Sequence, residues 1–143
     1  AVDVRIDPII PFYTDDEEPI KRLYQALANR DVRRISISYL HLRPAILDQL
    51  QRELPAKEFN VLRSCFESQP WRVVGSSTQS KLIPRLLREK GYRRFITLSK
   101  GFGIKPYICA CKNPDMPAHQ CSTAVRRKQV QREEIGQLSL FAC

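Results

Sequence analysis

Cys109, Cys111, His119 and Cys121 crowd one short stretch of the chain. Thiolate sulfur and imidazole nitrogen are soft donors that suit zinc or an iron–sulfur cluster. In Cys109-Ala-Cys111 both sulfurs fall on one side of an extended backbone, because side chains alternate with period two. Asn113-Pro-Asp115 then supplies a turn, so His119 and Cys121 can return to complete the ligand set. The competing readings are a Cys109–Cys121 disulfide and thiols that are buried as small apolar groups. Five cysteines is an odd number, and no secretory signal precedes them, so a disulfide framework is disfavoured. Metal binding is the expectation, with zinc and iron–sulfur both open. Cys65 shares an apolar helical stripe with Leu62 and Phe66 and reads as core. Cys143, the last residue, makes a poor ligand.

A second group with chemical potential is cationic. The chain carries 24 Lys and Arg against 15 Asp and Glu, a net charge of +9. The excess is concentrated: between residues 72 and 105 stand Arg72, Lys81, Arg85, Arg88, Lys90, Arg93, Arg94, Lys100 and Lys105, with Glu89 the one acid. Such a segment is the footprint expected for a polyanion such as a nucleic-acid backbone, and the alternative is a solvated helix face. Arg72, Lys81, Arg85, Arg93 and Arg94 are the candidate contacts. No apolar run is long enough to span a membrane and no signal peptide is present, which points to the cytoplasm. The chain opens at Ala1, inside a strand pattern and without an initiating Met, and reads as a piece of a longer protein.

These groups need a scaffold. Val2, Val4 and Ile6 alternate with Asp3, Arg5 and Asp7, the pattern of a strand, which Pro8 and Pro11 end. Thr14 and Glu17 form a capping box for a helix with Ile20, Leu23, Tyr24, Leu27 and Ala28 on its apolar stripe, ending near Asn29. Val32 to Leu40 is a second strand, with Ile35, Ile37 and Tyr39 on one face and Ser36 and Ser38 on the other. Two strands joined through a helix make a parallel βαβ unit. A buried parallel strand is normally apolar on both faces. Arg5, Asp7, Ser36 and Ser38 therefore argue for a lined cavity, against the plainer reading of an exposed ion pair and space-filling serines. His41, just past the second strand, reads as structural. A helix starts at Pro44 and breaks at Pro55, and another carries Val61 to Phe66. Trp71 to Val74 is extended. Lys81 to Lys90 reads as a helix interrupted at Pro84 and stopped by Gly91, with a further helical turn set at Tyr92 to Ser99. Ile104 to Cys109 is extended and delivers the cysteines.

Three landmarks now stand in order: Arg5-Ile-Asp-Pro-Ile-Ile-Pro11 with Asp15-Asp-Glu17, Val32-Arg-Arg-Ile-Ser-Ile-Ser-Tyr-Leu40 with Arg43-Pro44, and Gly103-Ile104 leading into Cys109-Ala-Cys-Lys-Asn-Pro-Asp115 and Cys121. Together they resemble the C-terminal half of radical S-adenosylmethionine proteins related to spore photoproduct lyase, the DNA repair photolyase-like group. The resemblance covers most of residues 1–121. It implies an α/β fold, the C-terminal part of a partial (βα)6 TIM-like barrel, with a Cys-rich metal-binding element at 104–121 and a charged, flexible tail at 122–143. In that family a [4Fe–4S] cluster on a Cys-x3-Cys-x2-Cys loop cleaves S-adenosylmethionine to a 5′-deoxyadenosyl radical. No such motif occurs in this sequence, so the expectation is a lyase-like DNA-repair enzyme whose present portion alone is inactive. Arg5, Asp7, Ser36 and Ser38 would lie near S-adenosylmethionine or substrate, and Cys109, Cys111 and Cys121 with His119 would form an auxiliary iron–sulfur or zinc site. The alternative is a metal-stabilised basic module that binds nucleic acid without catalysis.

The tail ends in Gln137-Leu-Ser-Leu-Phe141, an apolar cluster after a charged run. It resembles the short peptide by which bacterial repair and replication proteins bind the DNA sliding clamp. Gln137 would hydrogen-bond at the rim, and Leu138, Leu140 and Phe141 supply the apolar contact. The plainer reading is that these residues dock on their own domain.

Overall fold

The computed structural model describes residues 4–74 and 79–117. Along the chain lie β1 (Val4–Ile9), α1 (Glu17–Ala28), β2 (Arg34–Tyr39), α2 (Pro44–Glu53), α3 (Ala56–Ser64), β3 (Arg72–Val73), β4 (Gln79–Ser80), α4 (Arg85–Ser99) and β5 (Lys105–Ile108). Single 3-10 turns follow α4 and β5, at Lys100–Phe102 and Ala110–Lys112. The main sheet is three-stranded and parallel, in the order β1-β2-β5, and β3 and β4 form a separate antiparallel pair.

Strand register turns the sequence alternation into two chemically distinct faces. Val4 and Ile6 stand opposite Ile35 and Ile37, which in turn stand opposite Pro106 and Ile108. Val4, Ile6, Ile35, Ile37 and Ile108 join a single apolar cluster that also receives Ile20 and Tyr24 of α1, Leu62 and Phe66 from the α3 region, and Tyr92 and Phe95 of α4. Fully burying one such side chain is worth about 2 kcal/mol. The Tyr24 hydroxyl donates to the Phe95 carbonyl at 3.0 Å, which ties α1 to α4. On the other face Arg5 stands opposite Ser36, and Ser36 opposite Tyr107.

Two helix boundaries differ from the sequence pattern. The Thr14/Glu17 capping box does not form. Thr14 Oγ1 instead accepts from the Ile10 amide at 2.8 Å, closing the turn after β1, and Asp16 stands at the N-cap of α1 with no side-chain cap bond. Gly91 does not stop a helix at Lys90, because α4 runs continuously through it and Pro84 is its N-cap. A Cβ on Gly91 would stand 1.6 Å from the Tyr39 hydroxyl, so the glycine is there to let α4 close onto β2. The αL stop comes later, at Gly103, φ 64°. Cys65 is buried in the core as the stripe predicts. Among the described residues no helix is long and apolar enough to cross a membrane.

Candidate functional site

Parallel strands deliver their C-terminal ends to one edge of the sheet, where α/β proteins place their ligands. Here β1 brings Asp7, β2 brings Ser38 and then His41, and β5 brings Cys109, followed by Cys111 and Lys112. The Asp7 carboxylate is held by Lys112 Nζ at 2.8 Å and by Arg5 at 3.0 Å. Burial alone would raise the Asp7 carboxyl, but the Lys112 ammonium, the nearby Ser38 hydroxyl and the Arg5 guanidinium outweigh it and hold it below its ordinary value. Ser38 Oγ is itself buried and makes no hydrogen bond of normal length among the described residues.

His41 is 8% exposed. Its Nε2 lies 2.9 Å from the Lys112 carbonyl, and a carbonyl only accepts, so Nε2 carries the proton. Burial first, then the positive charges of Lys112 and Arg88, push its pKa down to about 4. The imidazole is therefore neutral near pH 7, with Nδ1 as its basic nitrogen.

The polar and sulfur-bearing residues of the Cys109-to-Asp115 motif each make a defined contact. The sulfurs of Cys109 and Cys111 converge to 2.7 Å and are not disulfide-bonded, but the chain between them is a 3-10 turn at Ala110–Lys112 and not the extended backbone expected from their spacing. Lys112 reaches across to Asp7. Asn113 Nδ2 donates to the Cys109 carbonyl at 2.9 Å, and its Oδ1 accepts from Arg88 at 2.8 Å and from the Tyr92 hydroxyl at 3.0 Å. Asp115 pairs with Arg88 at 2.5 Å, which is the chief reason its carboxyl lies below the ordinary value. The turn between them is closed by the Met116 amide on the Asn113 carbonyl. Arg88 also donates to the Ile83 carbonyl and is 2% exposed. It is thus an internal clamp holding the cysteine loop on α4, and its charge is withdrawn from the basic surface the sequence suggested. Tyr92 links the same network to β2, accepting from the Tyr39 amide.

Arg5, Asp7, Ser36 and Ser38, singled out from the sequence, share one face of the sheet. Of the expected ligands, Cys109 and Cys111 meet, while His119 and Cys121 lie outside the described residues, as do Gln137, Leu138, Leu140 and Phe141. Among the described residues no group of three or more His, Cys, Asp and Glu is placed to hold a metal. The cationic candidates are unequal. Arg72 and Arg93 are exposed, and Arg85 pairs with Glu89 at 2.7 Å. Arg94 donates to the Asp15 carbonyl, and Lys81 to the Phe66 carbonyl. Sequence reading passed over His41, Lys112 and Arg88 as site residues. The available signal for His41 was its place just past β2, on the same strand edge as Asp7. For Lys112 it was its position inside the cysteine motif. No family model, curated protein or solved structure matches this chain.

Proposed function

We propose that this chain supplies an arc of a parallel α/β barrel of the radical S-adenosylmethionine type, related to spore photoproduct lyase and acting on DNA in the cytoplasm. The carrying observation is the sheet. Its strands follow one another in the order β1-β2-β5, and the buried apolar residues of its helices join one cluster on one face. A run of three parallel strands in one direction fits an arc of such a barrel and equally one half of a doubly wound sheet.

The side chains on the interior-type face suit the implied cofactor. A ligand bearing ammonium, carboxylate and ribose hydroxyl groups would have to share the Arg5 guanidinium and the Asp7 carboxylate with the ion pair they form at 3.0 Å. Ser36 and the hydrogen-bond-deficient Ser38 can each donate and accept. S-adenosylmethionine with a [4Fe–4S] cluster supplies the radical chemistry when bound, and this chain's part is to hold and orient. The sequence contains no Cys-x3-Cys-x2-Cys, so ligands for that cluster would come from elsewhere. Cys109 and Cys111 fit an auxiliary iron–sulfur or zinc site that His119 and Cys121 would complete. Arg72, Lys81, Arg85, Arg93 and Arg94 would meet the nucleic-acid backbone, and Gln137 to Phe141 the sliding clamp.

The test is metal and ligand stoichiometry. Anaerobically purified protein is expected to carry zinc or iron near one site per chain, lost in Cys111→Ser, and to bind S-adenosylmethionine more weakly after Asp7→Asn. Folded, metal-free protein with reactive thiols at both positions rejects the auxiliary site. A second reading, a metal-stabilised nucleic-acid-binding module, rests on the exposed Arg72 and Arg93. Metal and DNA binding with no S-adenosylmethionine binding would select it.

A further inference from the structure

A groove of about 270 Å³ opens between the chain after β2, the α2 and α3 region and the segment before β3. Leu42, Leu47 and Phe66 form its apolar part, with Trp71, Lys81 and Arg63 also lining it. The groove is braced from within. Leu42 and Lys81 exchange backbone hydrogen bonds at 3.0 and 2.8 Å. Lys81 Nζ donates to the Phe66 carbonyl at 3.3 Å and stands 5.4 Å from the Trp71 ring centroid, a cation–π distance.

Trp71 nevertheless stays 39% exposed. A large indole left at the surface, fixed by a lysine and neighboured by a further cation on β3, Arg72, has the composition of a stacking platform. Glu67, also at the groove, is neutralised by Arg63 at 3.1 Å, which leaves the rim cationic. The volume falls just below the range of about 300–1,000 Å³ typical of drug-sized ligands and suits a single ring system.

We infer that the Trp71 groove seats one unstacked base of a nucleic-acid strand, with Lys81 and Arg72 meeting the flanking phosphates. This rests on the nucleic-acid reading above and adds a position to it. Every base has a π-face, so such a seat tolerates sequence.

Trp71 is the one tryptophan in the chain, so its fluorescence reports on the groove directly. The full chain is titrated with single-stranded oligothymidylate and with an abasic strand of equal length and charge. Quenching by oligothymidylate alone, with affinity about tenfold above the abasic strand, is the expected result. Trp71→Leu should remove that tenfold advantage and Trp71→Phe should largely keep it, with melting temperature unchanged in both. Equal binding of the two strands without quenching overturns the base seat and leaves the nucleic-acid reading standing. Failure of both strands to bind removes both. The wild-type comparison needs no variant, so a misfolded Trp71→Leu cannot obscure the answer.

Discussion

On one face of the sheet, Ile35 and Ile37 meet α1 and α4 through aromatic rings. Tyr24 packs edge-on to Phe95, and Tyr39 edge-on to Tyr92. On the other face Arg5, Ser36 and Tyr107 stand in register, with Arg34 and Lys105 over the Tyr107 ring at 4.9 and 5.6 Å. The first face is organised by exclusion of water and the second by charge. The same three strands serve both because successive side chains point to opposite sides. Stability should therefore reside on one face and ligand contact on the other.

The largest expected contrast is between Phe95→Ala and Ser36→Ala. The first removes a ring that is 1% exposed and should cost about 4 kcal/mol in urea unfolding. The second should stay within about 0.5 kcal/mol. Equal costs would erase the distinction between the faces. Arg88→Met comes next. It strips a buried charge from Asp115 and Asn113 and should cost about 3 kcal/mol, with loss of any metal bound by the cysteines. A stable, metal-replete Arg88→Met protein would show that the loop holds itself.

The pH dependence is smaller. His41 is neutral in the folded chain down to about pH 4, while in the unfolded chain it protonates near its ordinary 6.5. The unfolded state binds the extra proton in that interval. Stability is thus complete above pH 6.5 and falls as pH drops toward 4, by on the order of 2 kcal/mol. Asp7 and Asp115, with lowered pKa values, add their losses only below the ordinary carboxyl value of 3.8. Melting curves of His41→Gln should be flatter between pH 6.5 and 4, and an unchanged slope would relocate the effect. Smallest is Arg93→Ala, which should leave stability within about 0.5 kcal/mol while reducing the salt dependence of DNA binding.

The two-faced sheet was legible in the sequence because period-two alternation is a local signal, and Val4, Ile6, Ile35 and Ile37 carry it without ambiguity. Gly91 misled because its role is set by a residue far away in the chain, the Tyr39 hydroxyl, and a helix-stopping glycine looks the same as one that admits a neighbour. Arg88 misled for a related reason. In a run of cations nothing local distinguishes the one that will be enclosed by Asn113 and Asp115. Cys109 and Cys111 meet through a 3-10 turn that period-two spacing did not signal, and the Asp7–Lys112 pair joins residues at opposite ends of the described chain.

The two outer strands are not equivalent as growing edges. The Lys105 and Cys109 amides donate to the Arg33 and Ile37 carbonyls of the β2 segment. The alternation of a parallel ladder then turns residues 106 and 108 outward. Position 106 is proline, which has no amide hydrogen to offer. The outer rim of β5 thus presents one backbone donor, at Ile108, and is a poor template for a further strand. Among the described residues, the β5 edge is in this sense ill suited to receive a further strand in register.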